Sequence, residues 1–329
     1  MSGNGLRRSV ALFKQLRSNV TGLRGLPAFQ SSNIGEAARC SNLQHESAPF
    51  GSRFVSLQIV KHRMKSVGNT QKITAAMKMV AASRLKGAQT KMEKSRGIVE
   101  PMFRLLGDQP GVDVEKIMIV PLSSDKGLCG GINTTVVKYS KVISGTAEGS
   151  ETSMTIIGEK ARAQMSKIYA DALKNVIVDI SKVPLTFATA SLVADAVLAN
   201  GAQKHQIIYN RFQSVISFKP TVATVYSSEE YEKAAENGHN KFDEYEIEGP
   251  ERSEFLLDLA EFKMGAVMYN ALLENSTSEL GSRMQSMENS TKNAKDMLGK
   301  LTLLYNRTRQ ASITTALIEI ISGASALEG

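Results

Sequence analysis

The chain has 329 residues, 42% of them hydrophobic but only 6% aromatic and none of them Trp, which suits long Met- and Ala-rich helices better than a compact enzyme core. Two cysteines, Cys40 and Cys129, exclude a disulfide framework and a cysteine-built zinc site; no unbroken run of about 18 apolar residues is present to span a bilayer, so the mature protein is expected to be soluble. The formal charge of +8 is uneven, because residues 1–55 hold seven Arg or Lys against Glu36 and Glu46 and so carry +5 of it.

That first stretch is rich in Ser, Gly and Asn and contains the amphipathic run RRSVALFKQLRS, the composition of a mitochondrial-type transit peptide. Arg53, three residues before Ser56, is compatible with processing there, so residues 1–55 are expected to be a leader rather than part of the fold. A disordered basic arm on nucleic acid is the competing reading.

Proline placement divides the remainder. The segments 51–100 and 251–329 contain none, which predicts a helix over 56–108 and a second over 251–329, the latter on the order of 110 Å long if unbroken. In the first, Ala81, Leu85, Ala88, Met92, Ser95, Val99, Met102 and Leu106 keep the 4,3,4,3 spacing of a coiled-coil seam. The second answers with Phe255, Leu259, Phe262, Ala266, Tyr269, Leu273, Leu280, Met284, Met287, Ala294, Leu298, Leu301 and Tyr305, with a stutter between Ser276 and Met284 that should locally unwind a supercoil. The first arm is basic and the second slightly acidic, so the two should attract weakly along their flanks. Two unrelated amphipathic helices on a globular core would show similar periodicity.

Between them, residues 113–228 alternate strand-like runs (KIMIVPLSS, SMTIIGE, NVIVDIS, HQIIYNRF, ISFKPTVATVY) with helix-like ones (NTTVVKYSKVI, EKARAQMSKI, SLVADAVLAN). This predicts a Rossmann-like α/β domain inserted between two antiparallel helical arms, followed by an acidic linker over 229–250. The turn SSDKGLCGGINTT, residues 123–135, could cradle a phosphate on a helix N-terminus, but it fits neither G-x-G-x-x-G nor G-x-x-x-x-G-K-[ST]. A tight structural turn with Cys129 packed as a small hydrophobe is the plainer reading. His45, His62, His205 and His239 are scattered, and no catalytic constellation, metal-ligand cluster or cofactor motif can be drawn. At the far end, NRTRQASITTALIEIISGASALEG grades from arginines to a nearly uncharged apolar tip.

Three segments together carry a resemblance: RMKSVGNTQKITAAMKMVAASRL (63–85), SSDKGLCGGIN (123–133) and YNRTRQASITTALIEIISGASAL (305–327). They resemble the signature segments of the γ subunits of F-type ATP synthase, and with the leader the chain looks mitochondrial. The resemblance implies a central rotor shaft. Its antiparallel coiled coil would stand inside a ring of three catalytic and three noncatalytic subunits, beside small central-stalk subunits. Its α/β foot would grip the membrane c-ring on the matrix side of the inner membrane. No cofactor, metal or nucleic acid is implied, and no catalytic residue. The alternatives are a coiled-coil adaptor and a nucleotide-binding α/β protein.

The resemblance assigns partner contacts residue by residue. Arg309 and Gln310 match positions that meet a catalytic-subunit loop, with Thr314 and Glu319 further along the same helix; Arg suits the role through its planar, permanently charged fork. On the facing arm Lys72, Met77, Lys78 and Met79 would present a cationic stripe to an acidic loop. Ala75 stands where many relatives have lysine, so one cationic contact is missing. Ile320, Ile321 and Leu327 would form a tip bearing, apolar so that no directional bond locks one angle; a helix end buried in a static complex would have the same composition. The inserted cysteine-pair loop of chloroplast relatives has no counterpart, since residues 170–250 contain no Cys.

Overall fold

The computed structural model describes residues 57–106, 114–146, 150–231 and 251–328. The expected leader, most of the expected acidic linker and the segment 107–113 lie outside them. Two helices frame the chain: α1 (Leu57–Leu106) and, at the other end, α5 (Arg252–Glu328), 77 residues and about 115 Å long. They run antiparallel, as the pairings of Thr74 with Thr291, Lys78 with Glu288 and Arg96 with Glu274 require.

The seam follows the heptad positions along α1. Ala81, Leu85, Met92, Ser95 and Val99 are buried, and Ala88 and Met102 are half-buried. Helix α1 continues through Pro101 to Leu106, the missing N–H leaving the Gly97 carbonyl without its helical partner. On α5, Ala266, Leu273, Met287 and Ala294 are buried, but Phe262 departs from the expectation. It is half exposed and packs against Phe187 at a ring separation of 6.0 Å rather than against α1. The reason is that α5 has two neighbours here: from Lys263 to Asn275 nearly every residue is buried, because the α/β domain covers the side that the seam leaves open. A 3.5-residue repeat reports one partner, so Met264, Val267, Met268, Ala271 and Leu272 were invisible to it.

The inserted domain contains β1 (Lys116–Pro121), α2 (Ile132–Thr146), β2 (Glu151–Ile157), α3 (Glu159–Met165), β3 (Leu173–Ile177), α4 (Phe187–Leu198), β4 (Lys204–Phe212) and β5 (Phe218–Tyr226). The strand order is β3-β2-β1-β4-β5, parallel except for β5, which returns antiparallel on β4. Pairing of Ile117 with Thr152 and with Lys204 places β1 at the centre. Alternation along the strands sends residues to two cores. Ile117, Ile119, Met154, Ile156 and Ile208 pack under α2 and α3, whereas Met118, Val120, Leu122, Ile207 and Tyr209 face α4 and α5. Helix α4 starts at Thr186, whose side chain accepts the Thr189 N–H at 3.3 Å, so its small apolar face (Ala190, Val193, Ala194, Val197) turns onto the sheet. The long helix α5 is therefore part of the domain's own layer, and the shaft and foot share one core. A smaller cluster of Val114, Tyr226, Tyr231, Leu256 and Ala260 joins the start of α5 to the end of β5.

Candidate functional site

The register of the arms sets where the candidate surfaces stand. Thr74 meets Thr291 at 2.8 Å; 17 residues back along α1 is Leu57, and 17 residues forward along α5 is Thr308. Past that level α5 has no companion among the described residues, and every residue from Arg309 to Leu327 is exposed, an overhang of roughly 30 Å. Arg309 and Gln310 therefore lie at the root of the overhang, and Thr314, Glu319, Ile320, Ile321 and Leu327 along it. Thr314 uses its hydroxyl on the Gln310 carbonyl at 3.0 Å, a bond within the helix. Leu327 is 90% exposed.

By length and composition α5 is also apolar enough to cross a membrane, and the qualifying stretch is wholly exposed. The test is one of average hydropathy, and the expectation that no unbroken run of about 18 apolar residues is present still stands. Ala, Gly, Ser and Thr interleaved with Ile and Leu keep the average apolar without an unbroken apolar run.

On α1, Lys72 and Met79 are exposed while Met77 and Lys78 are half-buried. Lys78 already holds Glu288 of α5 at 2.9 Å, so a partner carboxylate must compete with it, a surface pair contributing at most about 1 kcal/mol. Ala75 is half-buried. The structure thus separates the assigned residues into two groups: one flanking the seam on the paired shaft, the other on the overhang.

The glycine-rich turn is consumed by the fold. Asn133 accepts the Ser124 N–H at 3.0 Å, and its amide nitrogen lies 2.8 Å from the Ser124 hydroxyl and 3.2 Å from Cys129 Sγ. Asp125 accepts the backbone N–H groups of Asp179 and Ser181, both at 3.2 Å. Gly130, at φ +62°, brings the turn against α5, where the Ser282 hydroxyl donates to the Cys129 carbonyl. The crevice at the carboxyl ends of β1 and β2, where a Rossmann-like domain would seat a nucleotide, is walled by Leu272, Asn275, Ser276 and Glu279 of α5. Burial raises the pKa of Glu279, the facing Arg283 opposes the shift, nearby Asp125 adds to it and Lys126 opposes it. Gly158 closes the same corner: at φ +99°, a Cβ would lie 2.4 Å from the Ser123 carbonyl oxygen.

Sequence reasoning missed the strongest polar contact between the arms. Arg96 Nε meets Glu274 Oε1 at 2.5 Å and Nη2 meets Oε2 at 3.0 Å, and the hydrogen bond to Glu274 raises the Arg96 pKa. Weak flank attraction was expected; here the carboxylate is only 1% exposed. Glu274, placed directly after the largely apolar run 264–273, was the available signal, readable only once the register is known. Burial also pushes Tyr209 up to about 12 and His205 down to about 4, the latter opposed in part by the Val225 backbone.

A two-helix shaft with an α/β foot at one end and a bare apolar overhang at the other defines a subunit built to work inside a larger assembly. A family model described as ATP synthase matches residues 56–327. The chain is 50% identical over 313 residues to the mitochondrial ATP synthase subunit gamma of Arabidopsis thaliana, covering 93% of this chain and 96% of the relative. It is 37% identical over 280 residues to the mitochondrial gamma subunit of the ATP synthase F(1) complex of Rattus norvegicus, covering 83% of this chain and all of that one. Among solved structures, a chain of the Euglena gracilis mitochondrial ATP synthase (OSCP/F1/c-ring) matches its fold at a TM-score of 0.72 and 22% identity, over 82% of this chain and 94% of that chain. A chain of the Tetrahymena thermophila mitochondrial ATP synthase central stalk and c-ring matches at a TM-score of 0.55 and 29% identity, over 66% and 98%. The chain belongs to the ATP synthase γ-subunit family, of mitochondrial type.

Proposed function

We propose that this chain is the central rotor shaft of the proton-translocating ATP synthase, peripheral to the inner mitochondrial membrane on the matrix side. It couples rotation of the membrane c-ring to conformational change at the catalytic sites of the head. The observation that carries the reading is the overhang, some 20 residues of exposed helix with apolar Ile and Leu and with Glu319 as its one charged residue between Gln310 and Leu327. A soluble helix with that surface expects partners on all sides. If the overhang turns inside a ring of three catalytic and three noncatalytic subunits, Ile320, Ile321 and Leu327 supply contacts of nearly equal energy at every angle.

Directional groups stand lower down. Arg309 and Gln310, with Thr314 and Glu319, offer charge-assisted and neutral hydrogen bonds to a catalytic-subunit loop. Lys72, Met77, Lys78 and Met79 offer cationic and slippery contacts to an acidic one. Steric push plus long-range charge suffices for torque, so the chain needs no catalytic residues of its own and contributes none. The foot would meet the small central-stalk subunits and the c-ring, and residues 1–55 would be removed after import. A nucleotide-binding role is disfavoured because α5 walls the crevice and the turn's polar groups are spent on internal hydrogen bonds.

Affinity purification of the tagged mature chain from mitochondria tests this reading. Co-purification of catalytic and noncatalytic subunits in equal number is expected. Recovery of the chain free of both would overturn it.

A further inference from the structure

Most of the shaft is held by an apolar seam, and an apolar seam resists separation far better than it resists twisting, because its energy is not directional. Polar contacts between the arms above the foot are sparse: the Thr74–Thr291 hydroxyl pair and the exposed Lys78–Glu288 pair. At the level where the shaft enters the foot the situation changes. Arg96 of α1 forks onto both oxygens of Glu274 of α5, and its Nη2 also donates to the Phe212 carbonyl at 2.7 Å. The Phe212 N–H in turn donates to Glu274 Oε2 at 2.7 Å. Phe212 is the last residue of β4, a strand paired to the sheet's central strand, so the ring of bonds closes through three elements. Its neighbours tie the same elements together. The Ser95 hydroxyl donates to Asn270 Oδ1 at 2.9 Å, the Asn210 amide to Asn275 Oδ1 at 3.2 Å, and the Ser278 hydroxyl to the Asn210 carbonyl at 2.9 Å.

A guanidinium fork fixes both distance and azimuth, and here it closes on a carboxylate that is only 1% exposed while the guanidinium itself is 31% exposed. Around the α1–α5–β4 junction, torsion applied to the sheet therefore reaches both helices at one level, whereas the seam above can twist. We infer that Arg96, Glu274 and the Phe212 backbone form a torsion clasp, positioning groups that fix the angle between the α/β foot and the two-helix shaft. The inference rests on the rotor reading. It makes the foot a rigid handle and assigns the elastic part of the shaft to the seam between Thr74 and Ala88.

The test uses the assembled complex with the head immobilised. Lys167→Cys on the foot, which is exposed, carries a bead; Cys129 is buried and does not compete for the label. With the head stalled by bound inhibitor, the width of the bead's angular fluctuation reads torsional stiffness, and with ATP its rotation reads the rotor function separately. Arg96→Met combined with Glu274→Leu replaces the pair by apolar groups. The angular variance should rise about twofold, since the directional part of the joint is lost while the apolar part remains. Arg96→Lys, which keeps the charge and drops the fork, should give a smaller rise, and decides the matter if the double variant does not assemble. Unchanged variance in assembled, rotating variants would overturn the clasp and leave the rotor intact; failure of the unmodified bead to rotate would overturn the rotor reading instead. A lowered melting temperature without a change in variance would show the pair to be structural only, and so refute the proposal.

Discussion

Replacing Arg309 with Ala and, separately, Leu327 with Ala distinguishes contacts that depend on angle from contacts that do not. Both side chains are exposed in the free chain, Leu327 at 90%, so neither substitution removes a buried contact and folding stability should change by less than about 0.5 kcal/mol. Any larger effect must arise in the assembly. If Leu327 is covered by the ring, shortening it forfeits transfer energy of about 2 kcal/mol. That loss is the same at every angle, so it weakens assembly and leaves the rotational barrier alone, as uniform binding leaves a chemical barrier unchanged. In its proposed role Arg309 is different, because a charge-assisted hydrogen bond contributes about 1.5 to 3 kcal/mol and exists only where a partner oxygen faces it. Removing it changes the weight of one angular state by roughly 10- to 150-fold. Coupled synthesis and hydrolysis, measured per subunit-counted complex, should therefore fall for Arg309→Ala, fall less for Gln310→Ala, and stay nearly unaltered for Leu327→Ala. Equal turnover of Arg309→Ala and unmodified complexes would refute the directional assignment.

Gly158→Ala places a Cβ against the Ser123 carbonyl at a backbone angle that L side chains rarely adopt, and should cost roughly 3 to 5 kcal/mol in denaturant unfolding; a loss below about 1 kcal/mol would contradict the packing described. His205, held near 4 by burial against an ordinary value near 6.5, is protonated in the unfolded chain before the folded one, so its stabilising contribution is complete above pH 6.5 and falls as the pH drops toward 4. Between pH 7.5 and 5 this amounts to about 2 kcal/mol, and His205→Leu should remove that part of the pH slope; an identical slope in the variant would count against it. N-terminal sequencing of the protein from its organelle should find a first residue near Ser56. A mature chain starting near Met1 would return the basic segment to the functional surface.

How far the sequence could be read depended on the number of partners each element has. Helix α1 faces α5 along its length, so its heptads translate directly into the buried positions Ala81, Leu85, Met92 and Val99. The strands of the inserted domain were legible because Val- and Ile-rich runs bounded by turn residues have few other uses. Helix α5 was only half legible. Where it meets both α1 and the sheet, burial runs right around it, and Phe262 follows the foot rather than the seam. The Arg96–Glu274 pair was hidden for another reason: 178 residues separate its members, and only the register of the folded arms brings them to one level. The tip was legible in composition, but its overhang showed only in the register, where α1 as described starts at Leu57, level with Thr308.

The most direct measurement of the central claim is rotation itself. With the head fixed and a bead on Lys167→Cys of the foot, ATP should drive continuous one-way turning of the bead, slowed in Arg309→Ala complexes and unchanged in Leu327→Ala complexes. A bead that stays still while the same complexes hydrolyse ATP would contradict the account.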